Sequence, residues 1–321
     1  MMNVTLAGVT PHRRGGLTVF PLTSDQNAPL PHQLLADALA ADELNILEVG
    51  EGTVPTLLVE NNSPHPVLIL DGEQLLGAKQ SRMVSRSVVV DAVSKTEIPV
   101  SCMERGRWHH VSRKFRRAKY YSPARVRRKV RDLEARQVRV GAQADSASLS
   151  RAQGEVWSEI DMVQASMDHY SSTSSLHEVT ESVDDQLIDW AKAFPVVEGQ
   201  IGVLAFLGGK PLAIDVIGSK ELYGKIHDRL MRGYIMDALS AGKSDRDSAD
   251  RDVAPRKAER FLRAVHRAEY KEVSTVGLGS YFVLGGGVVG GVLEQEVDGV
   301  DRVIHLTAFP EGGVVYGGMD R

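Results

Sequence analysis

The sequence predicts an α+β protein: an N-terminal antiparallel β-sandwich, a helical middle segment and a mixed α/β C-terminal layer. Three observations predict it. Over the first hundred residues the apolar side chains come in short, β-branched runs parted by turn residues, as strands require. From Ser122 the apolar spacing changes to the helical period, with Arg and Lys in between. From Ile201 runs of both kinds alternate. The 321 residues therefore divide into 1–105, 106–195 and 196–321, expected to pack as one compact unit.

In order, strands are expected at 17–22, 44–49, 56–60, 66–70, 86–90 and 95–100. Asn61-Asn-Ser-Pro-His-Pro66 and Asp71-Gly72 supply turn chemistry between them. Pro99 cannot donate to a ladder, which places it on an edge or at a bulge. One helix interrupts near Pro31–Ala41. Ser122-Pro123 reads as a hydroxyl cap with Pro at the first helical position, opening a helix through Val126, Val130 and Leu133. Ser150-Arg-Ala-Gln153 reads as a capping box for a second helix, and Val183 to Phe194 as a third. Gly208-Gly209 joins two strands, and Ser219 caps a helix running to Leu239. The polar run 241–254 is expected to be a mobile excursion, and Pro255 opens a helix with Ala258, Phe261, Leu262 and Val265 inward. Strands at 281–284, 288–297 and 302–309 close the fold.

With 42% hydrophobic and 25% charged residues, the composition is that of an ordinary globular protein. No apolar run reaches the length of a membrane span, and the first residues lack a signal-peptide core, so a cytoplasmic protein without a membrane partner is expected. Cys102 is the single cysteine, which excludes an intrachain disulfide and a thiolate-rich metal cluster. The histidines show no ligand spacing, so no metal site is expected, and nothing in the sequence assigns a cofactor. The net charge of −4 conceals an asymmetry. Between Arg105 and Arg139 there are 14 Lys and Arg against two acids, a local balance of +12. Such a block favours an anionic partner.

Gly285-x-Gly287-x-x-Gly290 matches a dinucleotide fingerprint but leads into a second strand-like run, so it reads as a Gly-rich hairpin. Cys102 with His109 and His110 lacks any sign of the orienting group that an activated thiol needs, and reads as packing. The basic block has three readings. It could bind nucleic-acid phosphates, with Phe115, Tyr120 and Tyr121 stacking bases; it could line a pocket for a phosphorylated metabolite; or it could be a solvated helix face. The segment 68–108 crowds Asp71, Glu73, Lys79, Gln80, Arg82, Ser101, Glu104 and Arg107 into connections between apolar runs, where binding sites are commonly assembled. Solvent-facing hairpin charges are the bland alternative.

Several motifs carry a family resemblance in order along the chain: LDGEQLLGAKQSRMV from Leu70, IPVSCMERGRW from Ile98, YSPARVRRK from Tyr121, QGEVWSEI from Gln153, AFPVVEGQIGVLA from Ala193, STVGLG from Ser274 and VIHLTAFP from Val303. The chain resembles the bacterial ADP-ribosylglycohydrolase- and rhodanese-phosphatase-superfamily-associated protein domain family. Ala78 departs from it, standing where a second glycine commonly follows Gly77, as does VVDAVSKTE, where a Pro-Ala-Gly turn is common.

The resemblance implies an intracellular enzyme or sensor for an NAD-derived or ADP-ribose-like phosphorylated nucleotide. In that picture Lys79, Arg82 and Arg107 meet phosphate. Gln80 and Ser101 complete the ligand contacts, and Trp108 stacks on a base. Glu73 or Glu104 acts as general acid/base or holds ribose hydroxyls. Two rivals stand beside it. One is a nucleic-acid-binding module driven by residues 113–131. The other is a non-catalytic scaffold whose polar cluster joins the sandwich to the helical layer through buried ion pairs.

Overall fold

In a computed structural model of the chain, which describes residues 3–8, 10–25, 29–50, 55–107, 109–141, 146–242 and 253–312, the strands gather into three sheets. The described chain is α+β throughout, so the expected class holds.

The first strands are β1 (Val4–Leu6), β2 (His12–Arg14) and β3 (Leu17–Ser24). They do not join the expected sandwich. Leu17 and Val19 enter one core while Phe20 and Leu22 enter another, so β3 needs cover on both faces. It finds this cover in the C-terminal sheet, where it pairs with residues 202–207 and has a separate apolar cluster on each face. Region 1–105 therefore contributes strands to all three sheets.

Next come β4 (Gln33–Leu34), α1 (Leu35–Ala40), β5 (Leu44–Glu48), β6 (Thr56–Asn61), β7 (Val67–Ile69), β8 (Glu73–Gly77), β9 (Arg82–Val84), β10 (Val88–Val90), β11 (Ser94–Cys102) and β12 (Phe115–Tyr121). A six-stranded sheet, β12-β8-β9-β11-β6-β5, faces a three-stranded one, β10-β7-β4. Between them lies an apolar core that includes Leu57, Val59, Ile69, Leu75, Val84 and Ile98. Strands β8, β9 and β12 fall where polar connections and a stacking surface were expected. Pro99 lies where β11 stops pairing with β6 and starts pairing with β9, so its missing N–H interrupts neither ladder.

The helical middle comprises α2 (Ala124–Val140), α3 (Ser146–Ser166), α4 (Leu176–Glu181) and α5 (Asp184–Ala191), two short helices replacing the single third one. Both expected caps are corrected. The α2 N-terminus is held by Asp237, whose carboxylate accepts from Ala124 N–H at 2.6 Å and Arg125 N–H at 3.1 Å. Helix α3 already begins at Ser146, and Gln153 uses its side-chain amide to pair with the Cys102 backbone, donating to the C=O and accepting from the N–H.

The chain closes with β13 (Gly202–Leu207), β14 (Lys210–Ile217), α6 (Lys220–Leu239), α7 (Pro255–His266), β15 (Glu269–Val273), β16 (Ser280–Gly285), β17 (Val288–Val297) and β18 (Val300–Pro310). The large sheet runs β1-β3-β13-β14-β18-β17-β16-β15, with β2 also on β3. One face packs on α2 and α6, the other on α7. Gly286 and Gly287 form the turn of the β16–β17 hairpin at positive φ, so the Gly-rich motif is a hairpin. The expected excursion lies largely outside the described residues, at 243–252.

Candidate functional site

The turn between β8 and β9 and the segment after β11 fold over one another, and the pair Glu104–Arg107 holds them. Arg107 Nε and a terminal nitrogen reach the Glu104 carboxylate at 2.9 and 2.6 Å. Its other bonds go to the carbonyls of Gly77, Ala78 and His109. Glu104 also accepts from the Ser81 N–H and hydroxyl, at 3.0 and 3.1 Å. Burial alone would raise the Glu104 pKa; the hydrogen bonds from Arg107, Ser81 and Thr173 outweigh it and hold the carboxyl below its ordinary range. The backbone at this turn is tight. A Cβ on Gly77, at φ 129°, would meet Ser112 Oγ at 2.5 Å, and Ala78 sits at φ 42°, a left-handed value that non-glycine residues seldom adopt.

Several basic side chains lie around this buried pair. Residues 109–114 lie over the turn: Val111 N–H donates to Ala78 O, and Ser112 Oγ accepts from Ala78 N–H. His109, His110, Arg113 and Lys114 are exposed there, and Lys79 is half-buried beside them. Arg105 is half exposed and pairs with Asp161 at 3.3 Å. Trp108 lies outside the described residues.

Arg82 and Gln80 lie beneath the turn. Arg82 is fully buried on the inner face of the sandwich, donating to the Gln80 carbonyl and side-chain oxygen and lying 3.8 Å from Glu48. Ser101 shares a hydrogen bond with Ser85. Cys102 is buried, which pushes its thiol up to about 11, so it is not a thiolate nucleophile near neutral pH. Gln80, Arg82, Glu104 and Arg107 thus converge, but inside the protein.

Glu73 belongs elsewhere. It sits at the opposite end of β8, roughly 13 Å of strand away at about 3.3 Å per residue. Both its oxygens are held by Arg229 of α6, at 3.0 and 2.6 Å. An acid/base pair acting on one glycosidic bond needs carboxyls about 5–9.5 Å apart. Glu73 and Glu104 are instead each held by an arginine of its own, Arg229 and Arg107.

Next to Glu73 begins a buried polar network that the sequence reading missed. Arg127 grips Asp215 with two nitrogens, at 2.9 and 2.8 Å, among the rings of Tyr121, Tyr234 and Phe309. Tyr234 donates to Asp215 as well, and His305 Nε2 lies 3.6 Å away. Despite burial, the charges of Arg127 and His305 hold Asp215 well below the usual carboxylate range. The other His305 nitrogen meets Ser87 Oγ at 2.6 Å, which also accepts from Asp71 N–H. Asp71, whose pKa is raised by burial, lies 3.5 Å from Arg131, and Arg131 also pairs with Glu134. Ser87, His305 and Asp215 line up like a hydrolytic triad, yet each is at most 3% exposed. A substrate has no access to them.

The basic segment is thereby divided. Arg125, Arg127 and Arg131 turn inward to carboxylates, and Phe115, Tyr120 and Tyr121 are buried. They offer a nucleic acid neither phosphate contacts nor stacking faces. A signal for the missing partners was in the sequence: Asp215 interrupts the apolar strand PLAIDVI, and a lone charge in such a run is rarely unpaired.

Among the described residues no cluster of three or more His, Cys, Asp or Glu is placed to hold a metal, and no helix is long and apolar enough to cross a membrane. Compared with known proteins, residues 5–309 match one family model, described as the ARG and Rhodanese-Phosphatase-superfamily-associated Protein domain. No curated protein and no solved structure matches the chain.

Proposed function

The chain belongs to the ARG and Rhodanese-Phosphatase-superfamily-associated Protein domain family, and from that premise we propose that it is a binding protein for an ADP-ribose-like phosphorylated nucleotide. The observation that carries this reading is the division of charge around Glu104–Arg107. The buried pair fixes two loops, and the segments it fixes carry the half-buried Lys79 and the exposed Arg113 and Lys114.

In this reading the phosphates meet Lys79, Arg113 and Lys114. Arg107, Glu104, Gln80 and Arg82 position this basic rim without touching the ligand. A sensor fits better than a hydrolase. A general acid needs a pKa near the working pH, and Glu104 is shifted away from it, while Glu73 is locked by Arg229. Preformed loops with exposed cations suit binding, since little ordering is left to oppose it.

The test is calorimetric titration with ADP-ribose, NAD and AMP. Binding of ADP-ribose without turnover is expected. Absence of heat at millimolar ligand contradicts the proposal, and release of a hydrolysis product would return it to the enzyme class.

A second reading is favoured by the buried network: the ion pairs Glu73–Arg229 and Arg127–Asp215 join β8 of the sandwich to α6, and α2 to the large sheet. A scaffold role for these residues is compatible with a ligand on the rim, because the two groups share no side chain.

A further inference from the structure

Helix α7 carries an arginine ladder on its outer face. Arg256, Arg260, Arg263 and Arg267, the last at the C-cap, are exposed and follow each other at intervals of four, three and four residues. At 3.6 residues per turn, the four fall within roughly 60° of one another on the helix, along roughly 16 Å of its length. Ala258, Phe261, Leu262 and Val265 occupy the opposite side and are buried against the large sheet. The orientation of the ladder is therefore fixed by the core.

Like charges at three and four residues repel on a helix surface. Three such neighbours occur here, and the acid among them, Glu259, is exposed, lying 3.7 Å from Arg263. An exposed pair of that kind contributes little. These repulsions oppose helix stability, and among the described residues no acid other than Glu259 pairs with the ladder. An external anion would offset them.

We infer that the outer face of α7 binds the phosphate backbone of a nucleic acid, independently of the nucleotide rim and without base readout. The chemistry favours this partner over other polyanions. All four side chains are arginines, whose planar forks match phosphate oxygens, and they stand on a rigid rod in a regular row. A membrane-surface helix needs an exposed apolar face, and that of α7 is spent on the core.

The experiment is fluorescence anisotropy with a short labelled DNA duplex across a salt series. Four phosphate contacts predict a slope of about −3 to −4 in log affinity against log salt. The variant R256Q/R260Q/R263Q/R267Q should lose this binding with an unchanged circular dichroism spectrum, and R263Q alone should shallow the slope by about 0.9. Neutralising Lys220, exposed on α6, should leave it unaltered. No binding to the duplex at low salt, equal binding by the quadruple variant, or stronger capture by anionic vesicles or polyglutamate than by the duplex would each overturn the inference.

Discussion

Arg107 makes five hydrogen bonds from a residue that is 9% exposed, so it shows what a single side chain does in this protein. Two bonds neutralise Glu104 and three collect carbonyls from the β8–β9 turn and the segment after β11. Arg107→Ala would leave a buried carboxylate short of its counter-charge, a loss of about 3–5 kcal/mol. Urea denaturation should show a lower midpoint, and a midpoint within error of wild type would contradict the role. The pH response has a definite sign. Glu104 is depressed in the folded state, so the stability it contributes is full above the ordinary carboxylate range and drains away as pH falls through its folded pKa. Glu104→Gln should therefore flatten the acid limb of the stability curve between about pH 5 and pH 3.

Among the elements, β8 with its flanking turns was the hardest to read. Apolar runs such as Thr56–Glu60 and Pro66–Leu70 declare themselves as strands because one face or both are hydrophobic. Glu73-Gln-Leu-Leu-Gly77 does not, since its Glu73 is buried only by virtue of Arg229, which lies 156 residues away. Periodicity reports the solvent boundary, and a charge paired inside the protein violates it. The same cause hid the inner face of α2, where Arg125, Arg127 and Arg131 take positions that a pattern assigns to water. Helix α7, with its charges outside and its apolar face inside, was legible to the residue. At the candidate site, the sequence pointed to the segment 68–108, but the burial of Arg82, Glu104 and Arg107 within it was not legible. Gly72 offers a check on this packing. It sits at φ 87°, and a Cβ there would meet Arg127 Cδ at 2.3 Å and Tyr121 Cε1 at 2.7 Å. Gly72→Ala should lower the melting temperature by several degrees, the effect of roughly 1–3 kcal/mol of strain in a chain of this size. Calorimetry showing no change would mean that β8 and α2 are not packed as described.

At the scale of the molecule, the sandwich, the helical layer and the large sheet are joined by ion pairs that bury both partners. Such pairs are poor sources of net stability but strongly resist the loss of one member. A double-mutant cycle on Glu73 and Arg229 tests this. Each single change to Leu should destabilise by about 3–5 kcal/mol, and the double change by less than the sum. Strict additivity would show that the two do not interact. In the proposed function, the phosphorylated ligand would meet its cations around Lys79, Arg113 and Lys114 rather than in this charged interior. The most direct measurement is calorimetric titration of ADP-ribose into K79Q/R113Q/K114Q beside Glu73→Gln. The account predicts that the rim variant loses the binding heat while retaining its fold, and that Glu73→Gln binds as wild type whatever its stability. Undiminished affinity in the rim variant, or loss of binding in a folded Glu73→Gln protein, would contradict it.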